Sequence, residues 1–258
     1  MNRYSKPKYS SAVVGCAVTL MMTAASREAR AQEPPRIAII LEGASIWTNR
    51  NDVRIPPDTG TEFSITDLIG SGPTRAVRVE GTVDVNRRHG LRFAYAPVRV
   101  SGRGVPSSPI AFAGGRFATI STDADYQFDS YRATYRYRFY SGDTWQWKVG
   151  FTGFVRDARI ALTQPGVAAE DTDVGFVPLA HLSGEAALSP HWRFRLELDG
   201  SAAPQGRAFD LLTAIEFTPT RWATFSAGYR TIEGGADVDT VYTFAWLNAI
   251  VARAGIRF

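Results

Sequence analysis

His181, Ser183 and Glu185 alternate with Leu182 and Gly184. In an extended chain this spacing places an imidazole, a hydroxyl and a carboxyl on one face, about 6.6 Å apart at each step. A base, a nucleophile and an orienting acid are the parts of an acyl-transfer relay. In that reading Ser183 attacks an ester, His181 takes its proton, and Glu185 or Asp199 holds the ring. The same residues also read as part of a charge ladder, with His181 satisfied by Asp199 on the next strand. The choice depends on the elements that carry them.

Those elements are strands. Alternating apolar and polar residues recur over 36–48, 75–85, 91–102, 126–140, 145–163, 175–188, 192–201, 207–218, 222–232 and 241–258, with no convincing helical period between them. In the second segment Val77, Val79, Val83 and Val85 share one face and Arg78, Glu80, Thr82 and Asp84 the other. The fourth sets Tyr131, Ala133, Tyr135, Tyr137 and Phe139 against Arg132, Thr134, Arg136 and Arg138. In 175–188 the face of His181 also carries Val177, Leu179, Ser183 and Glu185. The first segment is mixed, because Ile40 and Ile46 share their face with Glu42. Eight strands therefore stay open, with this segment and one neighbour as an internal plug.

Tight connections at 86–90, 141–144, 189–191 and 219–221 alternate with longer ones at 49–74, 103–125, 164–174, 202–206 and 233–240. Four tight turns with both chain ends on their side require ten antiparallel strands. Tryptophan follows three of these turns directly, at Trp145, Trp192 and Trp222. Rings that are apolar at one end and polar at the other settle at a membrane interface, so these residues read as an aromatic girdle. Centring the turns on Arg88, Pro190 and Thr220 places Asp84 opposite Arg92, Glu185 opposite Arg195, His181 opposite Asp199, and Asp210 opposite Arg230. Opposite charges meeting in this way suit a narrow lumen, largely filled by ion pairs.

The ends of the chain name the compartment. Residues 1–11 carry Arg3, Lys6 and Lys8, an apolar run follows to Ala25, and Ala29-Arg30-Ala31 fits a signal-peptidase site. The expected leader is 1–31, and the expected mature domain is 32–258. Val13-Val14-Gly15-Cys16 also has the look of a lipoprotein cleavage box, but most of the apolar run lies after Cys16. The leader holds five bases and one acid, which is the whole of the net charge of +4, so the remainder is neutral and gives no sign of nucleic-acid binding. Cysteine is confined to the leader, which excludes disulfides from the mature domain. Tyr242, Phe244, Trp246, Ile250, Ala252, Ala254, Ile256 and Phe258 line one face of the last segment, interrupted only by Asn248.

Taken together, the leader, the ten segments, the girdle and this aromatic ending resemble the small, porin-like outer-membrane β-barrel proteins of Gram-negative bacteria, broadly the OmpA-like and OmpW-like group. The resemblance implies an all-β, ten-stranded antiparallel transmembrane barrel with outer-membrane lipid and lipopolysaccharide around it. It also implies that Phe258 is an assembly signal read by the barrel assembly machinery. Activity is not implied, since such barrels serve as anchors, channels, adhesins, proteases and lipid-modifying enzymes. His181-x-Ser183 is similar to the motif of the outer-membrane lipid A deacylases, where these types act as base and nucleophile; that motif continues with asparagine, and Gly184 stands here. Omptin-type proteases work at an external rim, whereas His181 is in mid-strand; His89 and His191 read as turn residues.

Carboxylates cluster at Glu170, Asp171 and Asp173, at Asp237 and Asp239, and at Asp123, Asp125 and Asp129, where calcium or magnesium could bridge to lipid phosphates. Solvated loop acids are the plainer reading, so no metal site and no cofactor is assigned. Arg132, Arg136 and Arg138 would select anions in a wet lumen, and in a dry one would be neutralised by Glu80, Glu197 and Glu216. The expectation is a structural or interacting barrel that displays external loops. A narrow solute channel and a lipid A ester hydrolase stand as alternatives.

Overall fold

Period-two alternation becomes a single-layer wall with two unlike faces. In the computed structural model, which describes residues 36–239 and 241–258, the wall strands are β1 (Arg36–Arg54), β3 (Thr74–Asp84), β4 (His89–Gly104), β7 (Thr122–Ser141), β8 (Trp145–Gln164), β9 (Val167–Ala187), β10 (Trp192–Ala203), β11 (Gly206–Phe217), β12 (Ala223–Val238) and β13 (Val241–Arg257). Each pairs antiparallel with its neighbours, and β13 closes on β1 from Ala38↔Arg257 to Arg54↔Tyr242, giving a ten-stranded closed barrel. The first segment is thus part of the wall, and the eight-stranded arrangement with a plug falls away. The leader, including Cys16 and the expected cleavage after Ala31, lies outside the described residues.

Val79 is 45 % exposed and its neighbour Glu80 only 1 %, so the apolar side of the strand faces outward. Ile39, Leu41, Phe93, Phe151 and Ile250 stand on the same outer surface, while Glu42, Arg78, Arg132, Glu197 and Arg253 are buried within. A sheet in water would be turned the other way. A belt of this kind belongs in hydrocarbon, with the ionic face enclosed, and the chain is an outer-membrane β-barrel. Polar atoms on the belt satisfy one another: the Tyr229 hydroxyl donates to Asn248, and the Trp246 indole donates to Thr231 at 2.9 Å.

At the end carrying both barrel termini, Trp145 stacks on Trp147 with centroids 5.2 Å apart, and Trp192 packs at a tilt against Phe217 at 4.8 Å. Trp192 and Trp222 are exposed there, and the N–H of Phe258 donates to the carbonyl of Ile37 at 2.8 Å. This is the end that the sequence reading assigns to the periplasm.

The opposite, external end differs from the sequence expectation. Longer connections were expected at 164–174 and 233–240, yet the strands continue almost to the tips, pairing Gln164↔Val167 and Val238↔Val241; the connection expected at 202–206 closes at Ala203↔Gly206. Pro165-Gly166 explains the first, since proline presets the first turn position and Gly166 at φ 84° supplies the left-handed one. The two remaining loops fold over the mouth. One carries β2 (Phe63–Ser64) and α1 (Ile65–Ile69), capped by the Ser64 hydroxyl accepting from Asp67 N–H at 3.4 Å; the other carries the hairpin β5 (Ile110–Phe112) and β6 (Gly115–Phe117). Ile65, Leu68, Phe112 and Phe117 pack with Val53, Ile160 and Leu162 into an apolar cap.

Candidate functional site: the barrel interior

Ionic residues form a layer across the middle of the lumen. The acids Glu42, Glu80, Glu197, Asp199 and Asp210 and the bases Arg78, Arg92, Arg132, Arg230 and Arg253 are all buried, and the two sets balance. Arg92 bonds Glu197 at 2.7 Å and Asp199 at 2.8 Å; Arg132 reaches Asp199 at 3.1 Å and Asp210 at 2.9 Å. Arg230 joins Asp210 at 2.7 Å and Glu42 at 2.9 Å, Arg253 lies 3.2 Å from Glu42 and also pairs with Glu80, and Arg78 lies between Glu80 at 3.3 Å and Asp210 at 3.4 Å. Each charge has given up water, so the layer is tolerable only because each has partners on several strands.

His181 is tied into this layer. Its Nδ1 is 2.7 Å from Asp199 Oδ1 and its Nε2 is 3.2 Å from Ser183 Oγ. Ring, hydroxyl and carboxylate thus stand in the order of an acyl-transfer relay, with Asp199 as the orienting acid. Asp199 is shared, however: it also accepts from Arg92, from Arg132 and from the Thr152 hydroxyl at 2.9 Å. Glu185 sits lower, 3.6 Å from Lys148 and 3.5 Å from Arg195.

Two cavities flank the layer. The upper one, about 530 Å³, is lined largely by apolar groups such as Phe128, Phe154, Ile160, Ile232 and Leu247, with Arg132 at its floor. The lower one, about 250 Å³, is polar and holds Arg136, Lys148, Glu185, Arg193, Arg195 and Glu216. His181 and Ser183 line neither.

Register decides which expected partners meet. Glu185 faces Arg195 and His181 faces Asp199 across the β9–β10 ladder. Asp84 instead faces Gly90, and Arg92 faces Thr82. The first turn closes one residue earlier than expected because the Asn86 side chain accepts from the N–H groups of Arg88 at 2.8 Å and His89 at 2.9 Å. Asp210 faces Ile232 and Arg230 faces Leu212, since the fourth turn closes one residue later, with Thr220 accepting from Ala223 N–H at 3.2 Å. Asp210 and Arg230 still meet diagonally, whereas Asp84 turns to Arg136 at 3.4 Å. Arg132 and Arg136 are neutralised by aspartates rather than by Glu80, Glu197 and Glu216.

Four of the external acids are engaged as well. Glu170 pairs with Arg159 at 2.6 Å, Asp173 with Arg156, Asp129 with Arg99, and Asp123 with Arg103 at 2.5 Å. The Arg103 hydrogen bond holds the exposed Asp123 carboxyl below the usual range. Among the described residues no three acids, histidines or cysteines come together as a metal site. Arg253 was not anticipated, although its position opposite the greasy face of the last strand was a usable signal.

No family model matches this sequence, and no curated protein matches it. Among solved structures, the outer membrane protease OmpT from Escherichia coli is similar over 90 % of this chain and 99 % of its own, with 9 % identity and a TM-score of 0.52. The β domain of the Bordetella autotransporter BrkA is 14 % identical over 87 % of this chain and 98 % of its own, with a TM-score of 0.45. Ail of Yersinia pestis, in complex with the heparin analogue sucrose octasulfate, is 12 % identical over 88 % of this chain and all of its own, with a TM-score of 0.43. At these identities the likeness extends to the barrel fold alone.

Proposed function

We propose that this outer-membrane barrel is a non-conducting integral protein that works through the surface it shows outside the cell. The observation that carries the reading is the balanced ionic layer: ten buried charges tied to one another across the lumen leave ions no unpaired group to follow. Lipopolysaccharide is the surrounding solvent in this proposal, and the barrel assembly machinery reads the strand ending in Phe258. Reconstitution into planar bilayers tests it. The expected record has no steady single-channel current; stable conductance steps would instead make the protein a narrow solute channel.

A second reading rests on the chain Asp199–His181–Ser183. Were it catalytic, Ser183 Oγ would attack a lipid ester while His181 Nε2 took its proton and Asp199 stabilised the imidazolium. The absence of Ser183 and His181 from both cavity walls weighs against it. Mass spectrometry of lipid A from cells carrying wild type, Ser183→Ala or neither separates the cases. Unchanged acylation in all three removes the hydrolase.

A further inference from the structure

We propose that the upper chamber holds an acyl chain of an outer-leaflet lipid, admitted sideways through the wall between β9 and β10. The β9–β10 ladder stops at Ala180↔Gly200, while on its other side β9 stays paired with β8 up to Val167. Above Ala180, β9 therefore has a free edge toward β10. Pro178 stands just past the last pair and has no N–H to offer a ladder.

The break lies at membrane depth. Gly200 is eight residues above Trp192, about 26 Å along the strand and roughly 20 Å after barrel tilt, inside an apolar band about 25 Å tall. Phe176 and Phe209, on the outer surface at either side of the break, are 68 % and 38 % exposed. The chamber's lining includes inward-facing Val177 and Leu179 together with outward-facing Phe176 and Pro178 of the same edge, and Phe209 beyond the gap. The cavity thus passes through the wall, and the phase on the far side is hydrocarbon.

The shape fits a chain rather than a passing solute. A volume of about 530 Å³ is in the range of small-molecule sites. Its floor is shut by Arg132, whose guanidinium lies over Phe154 at 4.6 Å while held by Asp199 and Asp210. Nothing apolar gains by going deeper. The ion pairs Arg156–Asp173 and Arg207–Glu233 border the upper part, within reach of a headgroup left outside.

The test loads the full mature barrel from vesicles of phosphatidylethanolamine, phosphatidylglycerol and lipopolysaccharide, then counts lipid retained after detergent exchange by native mass spectrometry. Wild type is expected to keep bound lipid. Ala158→Trp, which fills the chamber, should keep several-fold less while retaining heat-modifiable gel migration. A Leu179→Cys, Ser201→Cys pair, one step beyond the last ladder pair, should slow loading when oxidised and recover it on reduction. Lipid-free wild type, or equal retention in Ala158→Trp, overturns the binding site; loading unaffected by the oxidised seam overturns the lateral route and leaves entry from the external mouth.

Discussion

At the level of Glu80 and Asp210 the lumen is a closed ring of opposite charges, whereas a short way up the same strands it is a half-empty chamber of phenylalanine, isoleucine and leucine. The two levels share most of their strands and differ in what the inward positions carry and in the early end of β10. Charges that have lost water must find partners, so they converge and fill the space. Apolar side chains have no such requirement beyond contact, and where the β10–β11 hairpin ends early they leave room. Closure and vacancy are thus two outcomes of one alternating pattern.

This contrast can be broken from the ionic side first. Arg92→Ala would take one buried cation from both Glu197 and Asp199 and leave the layer with an uncompensated negative charge, at a cost of about 3–5 kcal/mol. Equilibrium urea unfolding in micelles should show the loss, and a change under 1 kcal/mol would mean that water enters the layer. In the chamber, Ile232→Ala removes packing beside an existing void, and about 2–3 kcal/mol is expected, the low end for such truncations. A loss equal to that of Arg92→Ala would erase the distinction between the levels.

The cap gives a smaller effect. A Cβ added at Gly104 would stand 1.7 Å from the Leu68 carbonyl oxygen, so Gly104→Ala must push α1 off the rim, costing about 1–2 kcal/mol. Faster proteolysis within 55–73, with gel migration unchanged, is the expected signature. Ser183→Ala deletes one long hydrogen bond to His181 and should cost about 1 kcal/mol. Smallest is Arg207→Ala at an exposed pair, where less than about 1 kcal/mol is expected, fading further in high salt. A larger loss there would give the external rim a structural role it lacks in this account.

The wall and its faces were readable because a strand's period is two: Val79 against Glu80 and Phe176 against Leu179 needed only parity. Neighbouring charges were partly readable, as with His181 and Asp199. Turn centres failed where a side chain intervened, since Asn86 moved the first ladder by two residues relative to its partner. Contacts across the lumen were beyond reach. Arg92 and Glu197 are 105 residues apart and Arg230 and Glu42 are 188 apart, and no hairpin rule links them. The chamber was invisible for a further reason: it opens where β10 ends early, and its lining brings together inward side chains from strands far apart in sequence, such as Phe128, Phe154 and Leu247.

One irregularity of β1 bears on how such a chain can change length. Its ladder with β13 jumps from Thr48↔Leu247 to Arg50↔Trp246, so Asn49 has no opposite number. Removing any paired residue from β1 would exchange lipid-facing and enclosed side chains along the rest of the strand. Removing Asn49 would leave Thr48 and Asn51 turned inward as they are now. This bulge is therefore a site where a codon can be gained or lost without inverting the barrel, and deletion of Asn49 should give a protein that still inserts and migrates as a folded barrel.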